Sequence, residues 1–252
     1  MFDDLSPAIP AATLVILRDR TGAPPELLMV ERAKAMAFAA GALVFPGGRV
    51  DPGDVALAAT MRSDDPDDPD DRAARIAAIR ETIEEVGLAI GVSSGVDIVA
   101  ARVALHAGAP LMQALGGAML DLDALVPFAR WRPSHATSRI FDTRFYLARL
   151  PADAPVAEED HTENVRLMWT SAATILAEAD EGRANLIYPT RRNLERLALF
   201  DSYREAVAQA RAHPVRLISP FPEMREGVEQ LCIPDDLGYP VTAEPLDAAM
   251  RG

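Results

Sequence analysis

I-R-E-T-I-E-E-V-G, from Ile79 to Gly87, places three glutamates in the last turns of a helix that Gly87 is positioned to end. The helix itself is read from Ile76, Ile79, Ile83 and Val86, which recur at the spacing of one helical face from about Arg72 onward. Two local effects oppose the carboxylates: they face the negative end of the helix dipole, and Glu81 with Glu85 is a like-charged i,i+4 pair. On a helix Glu85 lies about 40° from Glu81 and Glu84 about 60° to the other side, so all three share one face opposite the apolar stripe. Such a face needs a positive charge from elsewhere. Upstream, F-P-G-G-R-V-D-P-G-D from Phe45 to Asp54 is a glycine turn that lets backbone approach closely. Carboxylates beside a turn of that kind suit a hard divalent cation, which takes carboxylate, water and phosphate oxygens.

Around this pair of motifs the pattern is mixed α/β. Residues 11–18 and 26–32 read as two strands about a turn at Gly22–Pro25. Ala42 to Phe45 reads as a strand entering the glycine turn. The acidic stretch Ser63 to Asp71 reads as an exposed loop, and 97–120 as mostly helical. Strands are expected at 126–132, 139–149 and 164–169, with helices at 171–181, 190–200 and 202–212. The last forty residues hold Pro214, Pro220, Pro222, Pro234, Pro240 and Pro245 and read as an irregular tail. No internal repeat or linker divides the chain, so one domain over 1–252 is expected.

The 252 residues are 49% hydrophobic, enough for a sizeable core, and carry a net charge of −13. That balance argues against nucleic-acid backbones and anionic membrane surfaces as partners. The single cysteine, Cys232, excludes an intrachain disulfide and a multi-cysteine metal site. The N-terminus lacks the basic region of a signal peptide, and no apolar run approaches the ~20 residues of a membrane span. A cytoplasmic location is the expectation. Trp131 and Trp169 read as packing residues. His106, His135, His161 and His213 are scattered without metal-ligand spacing, and the pair Gly116-Gly117 lacks a following basic residue. Arg139 and Arg144 have opposite parity on their strand, so only one can face a given pocket.

Gly48, Asp54 and R-E-T-I-E-E-V-G-L at 80–88 resemble the Nudix box of the Nudix hydrolases, which runs from a glycine through a glutamate to R-E-U-x-E-E-x-G-U, U being bulky and aliphatic. Asp54 stands where the family has glutamate, Thr82 stands at an apolar position, and an insertion at about 55–72 separates the two halves of the box at 48–88. The resemblance implies an α/β/α sandwich around a mixed sheet, here with added helices. It also implies Mg²⁺- or Mn²⁺-dependent hydrolysis of a nucleoside diphosphate linked to a second moiety. By position, Glu84 and Glu85 would be the main metal ligands, with Glu81 as a further ligand or base. Arg80 would orient the glutamates, and Gly47 and Gly48 would let the loop meet metal or phosphate.

A narrower similarity covers roughly residues 12–200. R-A-K-A-M-A-F-A-A-G-A-L-V-F-P-G-G-R-V-D at 32–51, R-I-F-D-T-R-F-Y-L at 139–147, Glu163 six residues before Trp169, and the Y-P-T segment from Tyr188 resemble the organellar coenzyme A diphosphatase branch. That branch also interrupts its box. The coenzyme A signature is met at Leu27, Leu28, Gly41 and Phe45 to Gly48, but Ala37 replaces an arginine and the spacing is longer. The resemblance implies coenzyme A or an acyl derivative as substrate, with Arg32, Phe38 and Arg139 as substrate-binding candidates and Glu163 as a distant ligand or base. ADP-ribose or another nucleotide sugar is the alternative substrate, and a Nudix-fold regulator without turnover the alternative class. The partner is then a small-molecule nucleoside diphosphate derivative, and a homodimer is a candidate assembly.

Overall fold

In a computed structural model of the chain, residues 8–33, 39–61, 68–133, 140–159 and 164–249 are described. β1 (Ile9–Arg20) and β2 (Ala23–Arg32) form an antiparallel hairpin with Leu17 opposite Leu27. β3 (Leu43–Val44) adds to the far side of β2, and β4 (Gly47–Arg49) folds back on β1 with Gly48 opposite Ala12. Four helices follow: α1 (Pro52–Thr60), α2 (Pro69–Val86), α3 (Ile98–His106) and the short α4 (Leu111–Ala114). Then come β5 (Val126–Trp131), β6 (Phe141–Arg149) and β7 (Asn164–Ser171), and after them α5 (Ala172–Asp180), α6 (Tyr188–Leu197) and α7 (Tyr203–Ala212).

These strands make one mixed sheet. β6 runs parallel to β1, setting Ile9 opposite Phe141, while β5 pairs antiparallel with β6 and β7 antiparallel with β2. The run Leu14, Val15, Ile16 and Leu17 is apolar without a break because both faces of β1 are covered. Leu14 and Ile16, with Leu28 and Val30, pack against Ile76, Ile79, Ile83 and Val86 of α2. Val15 and Leu17, with Leu27 and Met29, pack against Ile175 of α5, Leu194 and Leu197 of α6 and Ala206 of α7. The expected α/β/α sandwich around a mixed sheet is the observed architecture. No helix among the described residues is long and apolar enough to cross a membrane.

Three expectations need correction. The acidic stretch read as a loop to Asp71 already belongs to α2 from Pro69, with the Asp68 carboxylate accepting from the Asp70 N–H at the helix start. Proline at a first helical turn is a start signal as well as a loop signal. Asp71 then accepts from Tyr146 at 2.8 Å and pairs with Arg75 and Arg144, while Asp68 takes Arg144 at 2.7 Å. Two of the run's aspartates thus tie α2 to β6. The inserted stretch also contains most of α1, whose outer side chains are too exposed to show an apolar period. Finally, the tail is not irregular. β8 (Leu217–Ile218) runs parallel to β5 at the sheet edge, and β9 (Phe221–Arg225), β10 (Val228–Cys232) and β11 (Ala243–Pro245) form a separate three-stranded sheet.

Candidate active site

The last turns of α2 lie against the turn that β4 begins. Gly47 N–H donates to Glu85 Oε2 at 2.9 Å, across 38 residues of sequence. A side chain is opposed at both positions of the turn, for different reasons. A Cβ on Gly47 would lie 2.3 Å from the Ala12 carbonyl oxygen, with φ at 153° as well. A Cβ on Gly48 would lie 2.3 Å from the carboxylate carbon of Glu81. Backbone blocks the first and the site itself occupies the second.

Arg80 is the centre of the polar contacts, only 11% exposed. Its Nε donates to Asp54 Oδ1 at 3.1 Å, and its Nη2 to Asp54 Oδ2 and to the Arg49 carbonyl, both at 2.9 Å. Its Nη1 donates to Glu81 Oε1 at 2.9 Å and to Glu84 Oε2 at 3.3 Å. Burial alone would lower the pKa of the guanidinium, but the hydrogen bond to Asp54 and the charges of Glu81, Asp54 and Glu84 raise it. Asp54, 3% exposed, also accepts from the Asp51 N–H at the start of α1. The missing methylene relative to the Nudix pattern therefore has a structural correlate. The short side chain sits inside the fold as the counter-ion of Arg80.

The glutamates differ in environment. Glu85 is 5% exposed. Burial pushes its carboxyl up to about 8 against the pull of the Gly47 N–H, with the Glu81 charge adding to the rise and Asn164 and Arg32 opposing it. Glu84 is raised as well, by burial first, while Arg80 and then the His106 charge act the other way. The helix dipole is answered from α3: Arg102 donates from Nε to the Glu84 carbonyl at 2.8 Å and from Nη2 to the Glu85 carbonyl at 3.0 Å. A guanidinium on the terminal carbonyls offsets the negative end of a helix. Gly87 closes the helix at φ 67°, in the left-handed region. Thr82, out of place in a Nudix pattern, is fully buried and returns its hydroxyl to the Ala78 carbonyl at 2.7 Å.

Arg80, Glu81, Glu84, Glu85, Gly47 and Gly48 are thus brought together, with the charge of Arg32 near enough to act on Glu85. Phe38, Arg139 and Glu163 lie outside the described residues, as do His135 and His161. Of the other arginines, Arg130 is held bidentately by Asp142 at 2.7 and 2.8 Å and Arg144 by Asp68 and Asp71, so neither is poised for a phosphate. Trp131 is buried, donating to the Tyr239 hydroxyl at 3.2 Å, and Trp169 lies under Arg18. Asn164, Arg102 and His106 are neighbours that sequence reasoning missed. Only Asn164 left a trace, as the residue directly after Glu163.

Among the described residues no three acidic, histidine or cysteine side chains converge as a closed metal-ligand set. Arg80 and the Gly47 N–H hold the carboxylates instead. The donor set nevertheless fits a hard cation. Glu81, Glu84 and Asp54 crowd one guanidinium, and beside them burial first, with the Glu81 charge adding to it, drives Glu85 towards protonation, a cost that a divalent ion would relieve.

The architecture is the Nudix fold, with the glutamate-bearing helix set against a glycine turn. Among solved structures, a NUDIX hydrolase from Alicyclobacillus acidocaldarius is similar over 81% of this chain and 97% of its own, at 28% identity and a TM-score of 0.66. A MutT protein from Methanosarcina mazei Go1 is similar more loosely, at 19% identity over 76% of this chain and 94% of its own, with a TM-score of 0.41. No protein-family profile matches the chain, and no curated protein matches it.

Proposed function

We propose that the protein is a metal-dependent Nudix pyrophosphohydrolase. The observation that carries this reading is the assembly of Glu81, Glu84 and Glu85 on one helix face, against Gly47 and Gly48 and around Arg80. Glu84 and Glu85, with Glu81, would hold Mg²⁺ or Mn²⁺, which supplies Lewis-acid polarisation of the diphosphate and acidifies a bound water. Arg80 fixes Glu81 and Glu84 in one orientation and is itself fixed by Asp54. Gly47 orients Glu85 through one carboxylate oxygen. Arg102 lowers the electrostatic cost of ionising carboxylates at this helix end.

Gly48 offers a direct check. Its neighbour in the site is the end of a flexible side chain, so Gly48→Ala is expected to fold with wild-type stability while displacing the Glu81 carboxylate. Hydrolysis should then fall by ~100-fold, the scale on which a 1 Å misplacement of a reacting group acts. Full activity in this variant would remove Glu81 from the machinery.

The substrate we propose is coenzyme A or an acyl derivative. The 32–51 and 139–147 segments support it, together with Arg32, which ends β2 on the Glu85 side of the site. A 3′-phosphate wants arginine, whose fork binds oxygens in pairs. The test is kcat/KM for coenzyme A against dephospho-coenzyme A and ADP-ribose. A buried arginine on the 3′-phosphate should favour coenzyme A by ~10-fold or more, a charged hydrogen bond contributing ~1.5–3 kcal/mol. Equal rates on the first two, or faster cleavage of ADP-ribose, would remove coenzyme A and leave the hydrolase reading intact.

A further inference from the structure

The small sheet at the end of the chain has an open edge. β9 pairs with β10 on one side, and among the described residues no strand pairs with the other. Every residue of β9 is exposed, Met224 to 64%, and Val228 beside it is exposed too. Pro222, Glu223 and Arg225 blunt this edge against indiscriminate pairing, so a partner strand must match both the proline and the charges.

Which backbone groups point outward follows from the turn. Glu226 and Gly227 lie at φ 51° and 81°, the two positive values of a two-residue hairpin turn. Arg225 and Val228 close that turn, so they are a hydrogen-bonded pair. Pairs alternate along an antiparallel ladder, which makes Glu223 with Gln230 hydrogen-bonded and leaves Met224 and Pro222 with their backbone groups turned outward. Pro222 therefore stands where a missing N–H costs the hairpin nothing. Met224 presents both an N–H and a C=O to the open side.

A second copy of the chain can meet that row in one symmetric way. With a two-fold axis at Met224, each Met224 exchanges both hydrogen bonds with Met224 of the second copy. Glu223 then faces Arg225 of the second copy, and the reverse, in the non-hydrogen-bonded pairs where side chains approach most closely. Moving the axis to Glu223 or to Arg225 would set like charges opposite each other and turn inward-bonded residues to the contact. Within one copy Glu223 and Arg225 already share a face, paired at 2.6 Å, so the symmetric contact closes a ring of four alternating charges.

We propose that β9 is the contact of a two-fold dimer, joining two three-stranded sheets into one of six strands through Met224, with Glu223 and Arg225 paired crosswise. The area of a single strand pair falls well below the ~1,200 Å² of a standard interface. The dimer is accordingly weak and concentration-dependent. This inference does not rest on the hydrolase reading.

Sedimentation velocity of the full chain from about 1 to about 500 µM, at about 0.15 M salt, tests it. The wild type should pass from monomer to dimer as concentration rises. Met224→Pro should remain monomeric throughout and melt as the dilute wild type does, because it removes only an outward N–H. E223R and R225E should each be monomeric alone, form a heterodimer when mixed in equal amounts, and dimerise again as the double variant E223R/R225E. A wild type monomeric at the highest concentration, a dimeric Met224→Pro, single charge variants that still dimerise, or a double variant that does not recover would each overturn the proposal.

Discussion

Replacing Glu85 by Gln should lower turnover by at least ~100-fold, since the proposed metal would lose a ligand and with it several kcal/mol of charge stabilisation. The metal-free protein should melt no lower than wild type. An amide oxygen still accepts from the Gly47 N–H, and a carboxyl whose ionisation is opposed by burial and by the Glu81 charge is gone. Glu84→Gln should lose activity similarly, with a smaller effect on melting because Glu84 is less buried. The pH dependence gives an independent reading. The Glu85 carboxyl titrates at about 8 when folded, above its ordinary value of 4.5, so the folded state binds the extra proton between those limits. Stability of the metal-free protein is then highest below the lower limit and falls as pH rises to about 8. At ~1.4 kcal/mol per unit, the loss is on the order of 5 kcal/mol. Glu85→Gln should flatten this slope, and so should Mg²⁺ or Mn²⁺ added to the wild type, by binding the ionised form. A variant that keeps its turnover, or melts far below wild type without losing activity in the folded fraction, would make Glu85 a structural residue.

The largest effect on folding is expected at Arg80. Arg80→Met leaves Asp54 almost fully buried without its counter-ion, a change that costs ~3–5 kcal/mol when one partner of a buried pair is removed. It also takes a donor from the Arg49 carbonyl, Glu81 and Glu84. Lysine should not rescue it, because a single ammonium cannot serve four acceptors spread around a planar fork. Asp54→Asn in the Arg80→Met background should recover much of the lost stability but little turnover, since Glu81 and Glu84 stay unclamped. Chemical denaturation of the two single variants and the double measures the coupling directly. Additive losses would show that Asp54 and Arg80 do not act as a pair.

Much of this was legible because it depends on local spacing. The stripe Ile76, Ile79, Ile83 and Val86 marks α2, and the conflict between three carboxylates and a helix C-terminus signals that something else must offset them. The uninterrupted run from Leu14 to Leu17 reports a strand covered on both faces. What stayed hidden depends on distance. Arg102 answers the helix dipole from another helix, and an isolated arginine carries no sign of the carbonyl it will meet. The part of Asp54 was obscured because it stands where the Nudix pattern has glutamate, whereas α1 sets it inside the fold, where a short side chain reaches Arg80. Asp68 sits in a run of aspartates that looks like solvated loop until Pro69 is taken as a first helical turn. The tail misled for a related reason. Prolines suggest irregular chain, yet Pro222 occupies an edge position that tolerates it.

The central place of β1 has a cost in time. Its local partners, β2 and β4, are made at once, but its parallel neighbour β6 begins only at Phe141 and the helices that cover its second face come later still. At ~5–20 residues per second of synthesis, the strand Leu14–Leu17 waits on the order of ten seconds for its cover. Contacts of such long range are also slow to form from the full chain, because the loop must close before any pairing rewards it. Chains halted before β6 should therefore expose this hairpin and aggregate or bind an apolar dye, while chains halted after α7 should not. Equal dye binding by the two would show that the hairpin finds cover earlier than the sheet order implies.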